Sequence, residues 1–415
     1  MPEGAAAPAV AAAQTAAGAP ARARRWIDEL MEGAGVEGAF RLPTGEVLRY
    51  GAGPPRFQVV VHSPGLLNRP LEEMSFGEAY INGGLDIEGD LMSLLELRQR
   101  ARRRFRLGPA LQFWWEFLWR RAGAINRRAV DGHYNYGDDF YFTFLDNRYR
   151  LYSHGLFASE QDTLEEACER KLATMFRALE LKPGMRLLDI GAGWGSATQF
   201  CGQGGVEVTS LTLARNSYDF TSALIRSREL PCRVLMEDFL RHRPDRPYDA
   251  VAILGVIEHL PYYRRFAARV WECLKPGGRL YLDASATKQK YDVSDFNRRY
   301  VYRGTQVHSF LCLQELIQEL LYHGMELVEV RQETRDYELT MEHWAGRLEA
   351  AREEIVRRWG ERLYRIFRLY LWAGCHAFRA DQLQAYHLVA RRGPGRGPRP
   401  GRLRRTVTQA FLPVR

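Results

Sequence analysis

The stretch Leu187-Leu188-Asp189-Ile190-Gly191-Ala192-Gly193-Trp194-Gly195-Ser196-Ala197 narrows the folds open to this chain more than any other. An apolar run ends in Asp189, and three glycines at alternate positions, Gly191, Gly193 and Gly195, lead into a helical pattern. A buried strand, a glycine turn and a helix make the opening of a β-α unit, and glycine lets the backbone approach a ligand that a Cβ would hold away. A dinucleotide site calls for G-x-G-x-x-G, with the pyrophosphate on the helix N-terminus. The tighter G-x-G-x-G spacing here favours S-adenosylmethionine, whose methionyl end has no phosphate to cradle. Asp189 would orient the methionyl amine, directly or through water.

From about residue 151 the pattern alternates strand and helix. Strands are expected at MRLLDIG (185–191), VEVTSLTL (206–213), CRVLME (232–237), YDAVAILG (248–255) and GRLYLDAS (278–285). That order implies a parallel sheet with helices on both faces, an α/β Rossmann-like class I S-adenosylmethionine methyltransferase domain over residues 151–395. In such sheets ligands lie outside the carboxyl ends of the strands. The second strand runs into SLTLARNSYDF (210–220) without an acid at its tip, so Thr212 or the backbone would serve the ribose hydroxyls. LMEDF (235–239) follows the third strand and offers Glu237 or Asp238 to accept from the adenine amine. The fourth ends in Glu258-His259, where a carboxylate would stabilise a cationic centre or remove a proton.

The flanks differ in composition. Residues 1–25, mostly Ala, Pro and Gly, read as a disordered tail without the apolar core of a signal peptide. Residues 26–108 read as a small α+β domain, with a strand at FQVVVH (57–62) and a helix from about Asp90. Residues 109–150 form an aromatic and basic helical linker containing LQFWWEFLWRR, and 396–415 a basic disordered tail. The net charge is +9, and its placement matters more than its size: residues 98–128 hold ten arginines and one acid, residues 391–415 eight arginines and none. Concentrated arginine implies a polyanionic partner. These blocks flank the catalytic domain instead of lining its cleft, and no [DN]PP[YF] tetrapeptide is present. The expected partner is therefore an anionic phospholipid membrane surface and no nucleic acid. No apolar run reaches the ~20 residues of a membrane-spanning helix, so the expected location is cytoplasmic, peripheral at the inner face of the membrane. The six cysteines show no metal or disulfide spacing and read as reduced thiols.

Several segments, taken in order, resemble the cyclopropane fatty acid synthases, including the mycolic acid cyclopropane synthases. They are HYNYGDDFY (133–141), YSHGLF and TLEEACERKL (within 152–172), LKPGMRLLDIGAGWGSA (181–197), the IEH at 257–259, LKPGG (274–278), RDYELTMEHW (335–344) and YLWAGCHAFRADQLQ (370–384). The resemblance runs from about residue 40 to 392. It implies methylation of an unsaturated acyl chain already assembled in a lipid. It places Tyr152, Ser153, Gly191 and Gly193 around the methionyl part of the cofactor and Thr212, Met236 and Glu237 at ribose and adenine. Glu258 matches the family's active-site glutamate and Tyr337 its active-site tyrosine. The alkene attacks the sulfonium methyl, the resulting carbocation is favoured by fixed negative charge and π faces, and ring closure needs a base. In the family that base is a bicarbonate held by a Cys, a Glu, a His, a backbone group and a Tyr.

Here the sequence departs. The family's YSC is YSH, putting His154 in place of the cysteine, and its HTI is DAS, putting Asp283 in place of the histidine and Ser285 at the backbone contact. The segment 301–310, VYRGTQVHSF, replaces a proline-containing one. Asp283 adds negative charge and argues against a bound bicarbonate. Three outcomes stand open: His154, oriented by Asp283, is the base; a chain carbon loses the proton and leaves a methyl or methylene branch; or the protein is a degenerate paralogue. A natural-product methyltransferase and a non-catalytic lipid-binding protein are the other classes, and the sequence is compatible with a homodimer.

Overall fold

The computed structural model describes residues 21, 24–25, 27–68, 73–104, 136–260, 262–287, 299–300 and 310–395. The terminal tails, the aromatic LQFWWEFLWRR stretch and the 301–309 replacement fall outside them. The chain separates into two compact units, one made by the N-terminal residues with 295–301 and Leu348–His376, the other by the rest.

The first unit carries a four-stranded sheet of β1 (Gly38–Arg41), β2 (Val47–Tyr50), β3 (Phe57–Val61) and β4 (Leu85–Gly89), in the order β2-β1-β3-β4. β1 and β3 are parallel and the other pairs antiparallel. Helix α1 (Glu73–Ile81) precedes β4, and α2 (Leu91–Arg104) follows it. Asp90 caps α2 as its sequence suggests, its Oδ1 accepting from Met92 N at 2.9 Å and its Oδ2 from Ser93 Oγ at 2.7 Å. Edge-to-face packing of Phe40 on Phe57 and Tyr50 fills one face of the sheet.

The second unit is built on a seven-stranded sheet. In chain order its elements are α3 (Asp138–Phe142), α4 (Leu164–Ala178), β5 (Arg186–Ile190), α5 (Ser196–Gln203), β6 (Glu207–Thr212), α6 (Arg215–Ser227), β7 (Arg233–Met236), β8 (Tyr248–Leu254), α7 (Tyr263–Cys273), β9 (Leu274–Ala286), α8 (Leu313–Tyr322), β10 (Met325–Gln332), α9 (Thr334–Ala350) and β11 (Gln384–Arg392). Between α9 and β11 run α10 (Arg352–Trp359) and α11 (Glu361–Arg379), most of which belong to the first unit. There Arg368 is buried, with Nε on Glu349 Oε1 at 2.6 Å and Nη1 donating to the Ile87 carbonyl at 3.1 Å.

The sheet order is β10-β11-β9-β8-β5-β6-β7. All five strands expected from sequence are present and parallel, but the sheet is mixed: β11 runs antiparallel to both β9 and β10. β5 is buried along its whole length, as its unbroken apolar run requires of a strand covered on both faces. One face packs Leu188, Ile253, Phe266, Val270 and Leu282; the other packs Leu172, Met175, Leu187, Val208 and Tyr281. Each such side chain contributes about 1.5–3 kcal/mol by leaving water. Two of the eight arginines counted in the C-terminal block are structural: Arg391 pairs with Glu326, and the Arg392 guanidinium lies 3.6 Å from the Trp271 ring centroid. Those two are already committed to the sheet's edge and do not add to a free basic surface.

From β5 the chain steps outward to β6 and β7 on one side, and β8 and β9 lie on the other. The strand order therefore reverses at the β5/β8 boundary, which opens a crevice at their carboxyl ends. The site lies there.

Candidate active site

The turn after β5 is held from several directions. Gly191 N and Ala192 N both donate to the Leu211 carbonyl at 2.9 Å, and Ser217 Oγ donates to the Gly193 carbonyl at 2.6 Å. Gly191 has φ +91°, and a Cβ there would sit 2.5 Å from Val256 Cγ2. Gly193, at φ +52°, has open space where its Cβ would be. The backbone thus forms one wall of a cavity lined by Tyr152, Asp189, Gly191, Gly193, Trp194, Thr212, Asn216, Ser217, Glu237, Asp238, Gly255, Val256 and His259, among others.

Most residues assigned to the cofactor line this cavity: Tyr152, Asp189, Gly191, Gly193, Thr212 and Glu237. Three do not. Gly195 caps α5 in the left-handed conformation, and its missing Cβ makes room for Leu224, 2.7 Å away, so it serves helix packing. Met236 is 45% exposed at the end of the edge strand β7. Ser153 is buried and gives its hydroxyl to Asp283 Oδ1 at 2.8 Å. The two candidates for the adenine acid both reach the cavity, with Glu237 Oε2 2.9 Å from His242 Nδ1 and Asp238 Oδ1 accepting from Leu240 N at 2.9 Å. Thr212 Oγ1 accepts from Ala214 N at 3.1 Å, closing the turn into α6.

The donor set fits S-adenosylmethionine on two observations. Asp189 lines the cavity and is buried with Oδ2 lacking a hydrogen-bond partner, a carboxylate oxygen that an ammonium would satisfy. Burial pushes its carboxyl up to about 7, a bond from Ser210 opposing. Beside it the Tyr152 ring packs against Tyr141 (5.6 Å), Trp194 (6.0 Å) and Trp344 (5.4 Å), an aromatic wall suited to a sulfonium.

The four candidate catalytic residues are not among those lining this cavity: Glu258 follows β8, Asp283 lies near the end of β9, His154 follows the Tyr152–Ser153 pair and Tyr337 is on α9. Glu258, on a 3-10 turn spanning Ile257–His259, is buried; Ser285 N donates to its Oε1 at 3.1 Å and its Oε2 has no partner. Burial, with the charge of Asp283 adding, pushes its carboxyl up to about 8. Tyr337 stacks on Phe378 at 4.5 Å and lies 4.8 Å from the His154 ring. Asp283 does not orient His154 directly, as the sequence reading had it. Its Oδ1 takes Ser153 Oγ and Gly255 N, and its Oδ2 lies 2.9 Å from Lys171 Nζ. His154 Nε2 lies 2.7 Å from Glu333 Oε2 and 2.9 Å from Lys171 Nζ, and Glu333 Oε1 meets His387 Nδ1 at 2.6 Å. Burial raises the Glu333 carboxyl, but the Lys171 ammonium and the two histidines outweigh it and hold it far below the usual carboxylate range.

Sequence reasoning missed Lys171, Glu333 and His387. Lys171 was legible: on α4 the buried positions are Leu164, Ala167, Cys168, Lys171, Leu172 and Met175, so it interrupts an apolar stripe at helical spacing. Asp138 was also missed; its Oδ1 accepts from Trp194 Nε1 and Asn216 Nδ2, both at 2.9 Å, holding two cavity-lining side chains.

Residues 123–388 match the family described as mycolic acid cyclopropane synthetase. The chain belongs to that family. It carries the family's S-adenosylmethionine-dependent methyltransferase domain, and S-adenosylmethionine is its cofactor. It is 30% identical over 274 residues to the cyclopropane-fatty-acyl-phospholipid synthase of Escherichia coli K12, covering 65% of this chain and 69% of that protein. It is 28% identical over 352 residues to the sphingolipid C9-methyltransferase of Candida albicans, covering 78% of this chain and 66% of that one. Against five fungal proteins of the latter name the chain spans 60–70% of their length. Among solved structures, a cyclopropane synthase from Mycobacterium tuberculosis superposes with a TM-score of 0.58 at 26% identity, covering 64% of this chain and 98% of that one. A coclaurine N-methyltransferase, at TM-score 0.63 and 17% identity over 76% of this chain and 99% of that one, shares the fold.

Proposed function

We propose that the protein methylates a carbon of an alkene in a lipid-borne chain, leaving a methyl-branched alkene. The observation that carries this is Glu258, a buried carboxyl raised to about 8 with one oxygen unpartnered. Its ionised form, disfavoured by burial, is the one that positive charge formed nearby stabilises. An alkene turns cationic at carbon on accepting a methyl and has no heteroatom proton to release, so a carboxylate beside it can both balance the charge and take up a C–H proton. Bound S-adenosylmethionine supplies an electrophilic methyl. Asp189 holds its ammonium, the Tyr152–Trp194 wall faces its sulfonium, and Glu258 balances the cation that forms on the chain. The Glu258 carboxylate then takes a proton from a chain carbon beside the cation, the electron pair of that C–H bond forms the new double bond, and the lipid has gained one CH2.

The branched product is favoured over a ring because His154 and Asp283 are already engaged with Lys171 and Glu333, at 0% exposure. The Asp283 carboxylate adds negative charge there, which works against holding bicarbonate. The relatives named for sphingolipid C9-methylation support a methyl-adding outcome, and those named for phospholipid cyclopropanation support a chain in an assembled lipid. The unsaturated chain would belong to a phospholipid or a sphingolipid, with the arginine-rich segments resting on an anionic membrane at the inner face. No helix among the described residues is long and apolar enough to cross a membrane.

The test is mass spectrometry of fatty and sphingoid chains from a host lacking its own synthase, with and without this protein. The expected result is a gain of one CH2 that takes up two hydrogens on mild hydrogenation. A product that resists hydrogenation is a ring and overturns the branching assignment; no mass change in either lipid class overturns the lipid substrate.

A further inference from the structure

Lys171 is enclosed by protein, at 0% side-chain exposure, and so are both carboxylates it meets, Asp283 at 2.9 Å and Glu333 at 3.7 Å. A buried ammonium costs several kcal/mol in desolvation, and a hydrophobic side chain of like volume often replaces a buried pair without loss. Stability alone is therefore a weak reason for a lysine on the apolar stripe of α4. What Asp283 does with its other oxygen supplies a stronger one. Asp283 Oδ1 takes Ser153 Oγ at 2.8 Å and Gly255 N at 2.9 Å. Ser153 follows Tyr152, and Gly255 follows β8; Tyr152 and Gly255 both line the cofactor cavity, as neighbours in its wall. One carboxylate thus ties two segments of the cavity wall together, and the Lys171 Nζ behind it fixes its other oxygen.

We infer that Lys171 is a positioning residue for the cofactor cavity, acting through Asp283 on Ser153 and Gly255. The inference rests on the assignment of this cavity to S-adenosylmethionine. Lys171→Met removes the ammonium, Asp283 loses its anchor, and Tyr152 and Gly255 separate. A displacement of about 1 Å at such a site costs up to ~100-fold.

The test is calorimetric binding of S-adenosylhomocysteine to the full-length protein, alongside thermal melting. Lys171→Met is expected to weaken binding about tenfold or more well below its melting temperature, where a purely structural defect would leave the affinity of folded molecules unchanged. In an Asp283→Ala background the same substitution is expected to add no more than about twofold, the scatter of independent sites. Binding by folded Lys171→Met within about twofold of the wild type, or full additivity of the two changes, overturns the inference. If Lys171→Met does not fold, Ser153→Ala deletes one arm of the tie without stranding a charge. It should weaken binding by more than about twofold, and unchanged affinity overturns the inference. Failure of the wild type to bind S-adenosylhomocysteine would instead remove the cofactor assignment itself.

Discussion

Asp189 makes cofactor binding a proton-linked event. Its carboxyl sits at about 7 against an ordinary 3.8, and the difference corresponds to about 4 kcal/mol for keeping it ionised in its buried place. An ammonium at Oδ2 reverses the preference, so binding below pH 7 must expel a proton. Affinity should fall about tenfold for each pH unit below 7 and level off above it, with roughly half a proton released at pH 7 and nearly one at pH 5.5. Calorimetry with S-adenosylhomocysteine in two buffers of different ionisation enthalpy measures both quantities. Asp189→Asn should bind roughly 10–100-fold more weakly at pH 8, the worth of a charge-assisted bond, and show no pH slope. The stability of the cofactor-free protein carries the same linkage with a definite sign. The folded-state value is raised, so this contribution is complete below pH ~4 and lost as pH rises through about 7. Asp189→Asn should therefore melt higher than wild type at pH 8 without cofactor and lower with it. A wild-type affinity that is flat between pH 5.5 and 7, with no proton release, would refute the reasoning.

Glu258→Gln should lower turnover by about 100-fold or more, since a neutral amide cannot become an anion beside the cation, while S-adenosylhomocysteine affinity stays within about threefold; single-turnover methylation and calorimetry separate the two. Arg368→Met leaves Glu349 and the Ile87 carbonyl without their shared donor, and should cost about 1–3 kcal/mol in denaturant unfolding, since Glu349 is partly exposed and keeps its bond from Trp372 Nε1. Vesicle sedimentation should show binding to anionic but not zwitterionic lipid, weakening as salt rises, since each arginine near the surface is worth about 1 kcal/mol; salt-insensitive binding would count against the basic segments as the contact.

Legibility followed local order. The β5 turn and α5 could be read because each residue there answers a local demand: apolar strand, acid, glycines, helix. The α2 cap at Asp90 could be read for the same reason. β10 and β11 could not. β10 is exposed over nearly its whole length, so it has no buried face to set an alternation, and β11 gains its register only from β9 and β10. Among the candidate catalytic residues Glu258 could be read from the end of its strand and Tyr337, His154 and Asp283 were reached by resemblance; their side-chain partners were not legible, because a charged pair separated by 179 residues, such as His154 and Glu333, leaves no mark in either local sequence. Lys171 is the exception, a charge where the helix period asks for a hydrocarbon.

The strand order has a consequence for biosynthesis. β11 fills the gap between β9 and β10, yet it is the last made of the described strands, following α8 through α11. While the chain is being synthesised, β9 presents an open edge and β10 has no strand to pair with. Unpaired edges of this kind recruit other chains. Shortening the protein ahead of Gln384 would hold it in that state, and aggregation should precede any loss of the glycine turn, which is complete by α6. A chaperone that covers one strand edge until the C-terminal segment arrives would be enough to protect it.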